Sequence, residues 1–418
     1  MSFKLSLLIF CLGIVPLGAY NDFVRALEKR LETDAPELRA KLAMVHMLEA
    51  GAWNRLPISG LSTETMVDAN GATSKLSQSV PFPGTILAAI LTNAAALDGG
   101  KQMVRETRWR LRGELRMKYL DAWRMDQQAA LDFEQAATMK LLEEESSPSL
   151  GGRMGAGNSG SWYILRSERL KMEDMKRMFE DERDATLVEL SALFEKPIDP
   201  SAIRKSFENV RFANYIVKKE ELNKSWLSNA PMIKGLEAIL RQKKAMPLDT
   251  ASRLFPEFFA QTTVGLNGST SKTSLTTPEF GLKWELPWPV FRPIGDFAGW
   301  DAEIRQARED RTALLLREAG AIQAEAIRYE SAKTGWKLWR DRLMPATFQA
   351  VQETRSRFLA GTGSLTEALM STEKLHEAHE RMIDYRFAME KSLVLIETHL
   401  ARLAEEMSPW MIRETGEH

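Results

Sequence analysis

Cysteine is nearly absent: one residue in 418, Cys11. It falls inside an N-terminal stretch with the marks of an export signal. Lys4 is the positive lead, Leu5 to Val15 the apolar stretch, and Pro16-Leu17-Gly18-Ala19 supplies small residues for cleavage. Cleavage after Ala19 leaves a mature chain with no thiol, which excludes disulfides and thiolate chemistry. Phe10 precedes Cys11, where a lipid-acceptor cysteine needs small residues, so no lipidation is expected. Net charge is equally scarce, with 56 Lys and Arg against 57 Asp and Glu. That balance leaves no electrostatic footprint for nucleic acid. Beyond the signal there is no apolar run long enough to cross a bilayer as a helix. A chain exported without such a helix can still be integral as a β-barrel, because closed strands also satisfy their backbone groups in lipid. Nucleophile motifs, phosphate-binding loops and metal-spaced clusters are missing too. No catalytic residue, cofactor or metal is therefore expected, and the chain does not read as an enzyme.

What is present is mostly helical, with two short stretches of another period. In the second, Phe258, Ala260, Thr262, Val264 and Leu266 share one parity, while Phe259, Gln261, Thr263, Gly265 and Asn267 share the other. After the turn residues Gly268-Ser269-Thr270-Ser271, the apolar residues Phe280, Leu282, Trp284 and Leu286 alternate with Gly281, Lys283 and Glu285. A period of two on either side of a turn is a β-hairpin signal. Each strand has about 10 residues, the length a tilted strand needs to cross a bilayer. Phe255, Phe258, Phe259, Trp284, Trp288 and Phe291 crowd the ends, where a transmembrane barrel carries aromatic girdles; a small soluble hairpin with one face on a core is the alternative. A fainter hairpin precedes it, with Leu76, Val80 and Phe82 on one parity and Thr73, Lys75, Ser77 and Ser79 on the other.

These elements recur in the same order. Residues 20–200 form a first repeat: a short helix, a hairpin near 56–82, a very long helix over 84–145, and a return helix over 162–195. A linker over 201–228 reads as an excursion from the main architecture. Residues 229–407 form the second repeat: a hairpin near 256–287, a long helix over 293–360 with Pro345 inside it, and a return helix over 364–406. Residues 408–418 are a polar tail. Ala35-Pro36 matches Ala230-Pro231, Leu56-Pro57 matches Phe255-Pro256, and Val80-Pro81 matches Leu286-Pro287. A proline-free run from Gly84 to Glu145 would extend about 90 Å, so coiled-coil-like packing is expected. Four strands per chain are too few to close a barrel, which needs about eight. If the hairpins lie in a membrane, several chains must share one barrel.

At this point the sequence resembles the TolC-like outer-membrane efflux proteins over almost its whole mature length. Arg357-Phe358-Leu359-Ala360-Gly361-Thr362-Gly363-Ser364 is similar to that family's Arg-Tyr-x-x-Gly-x-x-Ser turn, with Phe for Tyr. Asp34 to Ala40 resembles its Asn-Pro-x-Leu-x-Ala motif, with Ala35 for Asn, and Phe280 to Phe291 resembles its strand-Leu-Pro segment. The first-half turn, glycine-rich from Gly155 to Ser161, lacks the Tyr-x-x-Gly form. The resemblance implies a mainly α fold with a small β part. In it a homotrimer pools four strands per chain into one outer-membrane barrel and extends long helices as a periplasmic tunnel. It implies periplasmic tips at Gly157, Ser159, Gly361, Gly363 and Ser364, docking an adaptor coupled to an inner-membrane pump. It also places Phe258, Phe280, Leu282, Trp284 and Trp288 on membrane strands against outer-membrane lipid. The function so implied is a passive exit duct for small molecules or metal ions. A protein-secretion duct and a soluble periplasmic coiled-coil scaffold without a pore are the rival readings.

Three further clusters read as ordinary helix surface. His376 and His379, flanked by Glu373, Glu377 and Glu380, have metal-binding chemistry but read as an exposed charged face. Met103, Met117, Met125, Met139, Met172, Met175 and Met178 fit helical packing without a metal role. Glu143-Glu144-Glu145 could give a tunnel mouth a negative field, but reads as a solvated helix end.

Overall fold

The computed structural model describes residues 19–51, 62–68, 71–145, 159–207, 210, 212, 214–217, 227–252, 254–267, 272–275, 279–283, 292–402 and 411–413. The export signal and the Gly155 to Gly157 turn lie outside the described residues, as do Trp284 and Trp288. In chain order the elements are α1 (Ala19–Asp34), α2 (Pro36–Gly51), β1 (Ser62–Asp68), β2 (Gly71–Val80), α3 (Pro83–Glu145), α4 (Ser159–Ser191), α5 (Pro200–Phe207) and β3 (Tyr215–Val217). They continue as α6 (Pro231–Ser252), β4 (Glu257–Asn267), β5 (Lys272–Leu275), β6 (Glu279–Lys283), α7 (Arg292–Leu338), α8 (Met344–Leu359), α9 (Leu365–Leu400) and β7 (Met411–Arg413). Among the described residues no helix is long and apolar enough to cross a membrane.

Proline decides several boundaries. Pro36 and Pro231 are the first residues of α2 and α6, where the missing N–H would have no helical partner anyway. Each follows a buried alanine, Ala35 or Ala230, whose carbonyl accepts the first helical bond, from Arg39 or Lys234. The long helix expected through Pro345 is interrupted there. A π-helical turn, Trp339–Leu343, separates α7 from α8, and the Met344 N–H reaches back to the Trp339 carbonyl. A proline lacks an N–H and its ring crowds the carbonyl four residues earlier; the wider turn just ahead of it relieves that conflict.

The chain forms two compact units, and neither is a sequence repeat. One comprises residues 40–107 and 224–318, the other 1–39, 108–223 and 319–418. The first unit holds the main sheet and helices packed through small residues. Ala88, Ala95, Ala238 and Ala245 are buried. A Cβ added to Gly100 would meet Leu48 and Val45 at 3.1 and 3.3 Å, so that glycine lets the helices approach closely. The second unit is helical, with a core built on Leu115, Tyr119, Leu120, Leu187, Leu190 and Tyr329. The segment read as a linker or equatorial excursion contributes to it. Ile203 and Phe207 of α5 are buried, and so are Tyr215 and Val217 of β3. The expected polar tail also takes part, because β7 pairs antiparallel with β3 (Ile216 opposite Ile412). The two strands are not legible because three-residue segments that pair across about half of the chain leave no local periodicity to read.

Candidate functional site: a two-faced sheet and a hairpin tip

The main sheet is antiparallel throughout, in the order β1-β2-β4, with β5 and β6 both paired to β4. Directly opposite residues share a face, so the registers sort the side chains. One face holds Thr63 and Thr65 of β1, Ala72, Ser74, Leu76, Gln78 and Val80 of β2, and Phe258, Ala260, Thr262 and Val264 of β4. Phe280 and Leu282 of β6 continue it, and none of these side chains is charged. The other face holds Glu64, Lys75, Glu257, Gln261 and Glu279. On the uncharged face the hydroxyls of Thr65 and Ser74 bond each other at 2.8 Å. On the charged face Gln261 Nε2 donates to Glu279 Oε2 at 2.6 Å. Phe259 on that face lies across Gly281, where a Cβ would fall 2.5 Å from its ring.

A register shift separates the two pairings along β4. Against β5, Val264 pairs Leu275; against β6, Ala260 pairs Phe280. Stepping back along β4 from Val264 to Ala260 without slip would bring Leu275 forward to Glu279, not Phe280. The β5–β6 side thus carries one residue more than β4, the signature of a β-bulge. Phe258, Phe280 and Leu282 stand 52%, 80% and 60% exposed on the uncharged face. Phe82 and Phe255, at the ends of β2 and β4, stack at 4.6 Å. Among the described residues, β1 and the β5–β6 side each keep one edge with no strand partner.

In the helical unit, α8 turns into α9 through Ala360 to Ser364. The Gly361 N–H donates to the Phe358 carbonyl at 3.0 Å and the Thr362 N–H to the Arg357 carbonyl at 2.9 Å. These two bonds form a Schellman motif, which requires a left-handed residue after the helix; Gly361, at φ +75°, is that residue. Gly363 is there for space: a Cβ would lie 2.9 Å from Arg357 Cβ and 3.1 Å from the Phe358 nitrogen. Ser364 then caps α9, its Oγ accepting from the Glu367 N–H at 3.1 Å. Phe358 and Leu365, on either side of the turn, are buried with Ala136, Met139, Leu142, Leu165, Met172, Ala368 and Leu369. The turn is thereby clamped onto the α3–α4 hairpin.

Solved structures share this arrangement. VceC, an outer membrane protein of Vibrio cholerae, matches with a TM-score of 0.73 and 12% identity, covering 91% of this chain and 97% of that one. The open state of the MtrE outer membrane channel of Neisseria gonorrhoeae matches with a TM-score of 0.73 and 10% identity, over 91% and 89%. The CmeC outer membrane channel of Campylobacter jejuni matches with a TM-score of 0.72 and 11% identity, over 92% and 85%. The fold is TolC-like. No family model and no curated protein sequence matches the chain, so the likeness lies in the fold.

Within this TolC-like fold, Phe258, Phe280 and Leu282 meet on one sheet face, and Gly361, Gly363 and Ser364 meet in one turn. Ser159 is the first residue of α4. The expectation of an exposed face at His376 is overturned. His376 is buried, its Nε2 3.2 Å from Asp132 Oδ1, although Glu373 and Glu377 on the same helix are exposed. Helical spacing turns His376 toward α3 and the glutamates away. Burial, with His376 beside it, lowers the pKa of His379. No group of three or more metal-binding side chains occurs among the described residues. Nor is Glu143 simply solvated, because Arg169 Nε donates to it at 2.8 Å; Glu144 is exposed. Met139 and Met172 belong to the core under the tip.

The charges that sequence reasoning missed are buried. Arg386 lies between the rings of Phe212 and Trp336, donates to Asn214 Oδ1 at 2.6 Å and sits 3.2 Å from Glu390. Nearby, Tyr329 accepts from the Tyr215 N–H at 2.7 Å and Lys333 donates to the Tyr215 carbonyl at 2.7 Å, holding β3 by its backbone. Arg116 bridges Glu28 and Glu397. Burial pushes the Glu390 pKa up to about 7, against the pull of Arg386. A carboxyl with a raised folded-state pKa stabilises fully below its unfolded value, about 4.5, and that contribution is lost as pH rises toward 7. At 1.36 kcal/mol per unit the loss is on the order of 3 kcal/mol. The expected outcome is a thermal unfolding midpoint that falls between pH 4.5 and 7 in the natural protein and is flatter in Glu390→Gln. An unchanged slope in the variant would assign the titration to another group.

Proposed function

We propose that the protein is a subunit of an outer-membrane exit duct, passively conducting small molecules or metal ions in a tripartite efflux system. The observation that carries this reading is the sheet, with one uncharged face, one charged face and two unpaired edges. Lipid tolerates no open strand edge, so the edges must close on further copies of the chain. The strands alternate in direction, so the β1 edge of one copy meets the β5–β6 edge of the next antiparallel. Two copies would give about eight strands, whose interior side chains fill. Three copies form the smallest barrel with an open lumen, a homotrimer with the charged face inward and the uncharged face on lipid. The chain reaches that membrane through a cleaved signal over 1–19.

The α8–α9 turn, with Gly361, Gly363 and Ser364, is the periplasmic tip. It meets an adaptor coupled to an inner-membrane pump, which supplies the energy; the duct performs no bond chemistry. Purified oligomer reconstituted in planar bilayers tests this reading. Discrete conductance, increased by loosening the tips, is the expected result. Extraction from membranes without detergent, or silence even with loosened tips, would overturn it.

A further inference from the structure

In the sheet-bearing unit, α6 and the first part of α7 line an open groove of about 510 Å³. Its lining is unusual in charge. Arg241 and Lys244 reach it from α6, one turn apart; Arg308 and Arg311 reach it from α7 with the same spacing. Leu240 and Thr312 complete the walls, and Glu237 is the one carboxylate in the lining. Two of the four cations are already held. Arg311 donates to Glu237 Oε1 through Nε at 3.0 Å and Nη2 at 2.5 Å, and Arg241 pairs with Asp98. Neither Lys244 nor Arg308 has an acidic partner among the described residues, and both are exposed to solvent. Nearby cations are neutralised locally: Lys243 by Glu303, and Arg305 by Asp301 at 2.6 Å.

We propose that this groove binds a phosphate-bearing anion. Lys244 and Arg308 supply the uncompensated charge, and Arg241 and Arg311, fixed by their carboxylates, shape the walls. Cations that face each other across a concave surface repel unless an anion lies between them. Guanidinium forks match the oxygen geometry of phosphate, and an ammonium adds a point charge beside them. A singly charged carboxylate would neutralise only one of the two unpaired cations. The phosphate has two possible sources, a free phosphate compound or the headgroup of an anionic phospholipid. The groove is independent of the duct reading, since binding is measured without conduction.

The test uses full-length protein in detergent, titrated calorimetrically with inorganic pyrophosphate. In parallel, retention is measured on vesicles of phosphatidylglycerol and of phosphatidylcholine. The double variant Lys244→Gln/Arg308→Gln is expected to weaken pyrophosphate binding at least tenfold, or to abolish preferential retention by phosphatidylglycerol, while its melting temperature without ligand is unchanged. Loss in the first arm assigns a free phosphate compound, and loss in the second a lipid headgroup. Arg305→Gln, outside the groove and of the same charge change, is expected to bind as the natural protein does. Absence of binding in both arms, binding that survives the double variant, or an equal loss in Arg305→Gln would overturn the proposal.

Discussion

Lysine in place of Val264 will keep the protein out of the outer membrane. Val264 lies inside β4, three residues from its end, opposite Ser74 on one side and Leu275 on the other, on the face without charge. In the barrel proposed above, that face meets hydrocarbon. A lysine at mid-depth on a lipid face costs about 2–4 kcal/mol, falling to about 0–1 near the interfaces, and each copy would carry one. Leu282 is the more exposed side chain, but it pairs with Phe258, the second residue of β4, close to the strand end. Leu282→Lys is therefore expected to reduce assembly only partly. Glu279→Gln, on the opposite face, leaves it intact. The measurement is the fraction of oligomer recovered from outer-membrane preparations for the three variants. Normal assembly of the Val264 variant would mean that the face carrying Val264 does not meet lipid.

Legibility followed the length over which a pattern repeats. Long helices free of proline and strands with ten or so alternating positions announce themselves, and α3, β2 and β4 are found where periodicity places them. The bulge between β5 and β6 was not visible. Parity in the sequence gives no sign of it, and only the two pairings against β4 show the one-residue shift. At the tip, glycine and a serine three residues ahead of a glutamate are a local signal, so Gly361 and Ser364 could be singled out without any contact map. The buried charges obey no such rule. Arg386, Glu390 and His376 sit on a helix whose sequence mixes charge on every face. Which of them turn inward depends on what α3, α7 and the Tyr215 strand present to them. A charged residue on a helix reads as solvated until its partner is known, and those partners are hundreds of residues apart in some cases, as with Arg116 and Glu397.

The glycines of the α8–α9 turn yield the second large effect, because they are glycines for different reasons and the two can be separated. At Gly361 the constraint is the backbone: φ is +75°, and a Cβ would meet nothing within 4 Å. Valine there is a steric outlier of the chain itself, costing about 1–2 kcal/mol or more, whereas asparagine visits the left-handed region with little strain. At Gly363 the constraint is crowding against Arg357 and the Phe358 nitrogen, which no side chain relieves. Gly361→Val and Gly363→Ala are therefore both expected to break the Schellman bonds and unclamp Phe358 and Leu365 from the core beneath. Gly361→Asn should behave nearly as the natural protein. If this turn is the periplasmic tip, the first two variants will assemble as oligomers in the outer membrane yet fail to restore efflux to a strain lacking the duct, and Gly361→Asn will restore it. Full efflux in Gly361→Val with oligomers present would remove the turn from the docking or opening step. Failure of Gly361→Asn alongside Gly361→Val would locate the requirement in the surface the glycine presents, not in its backbone angle.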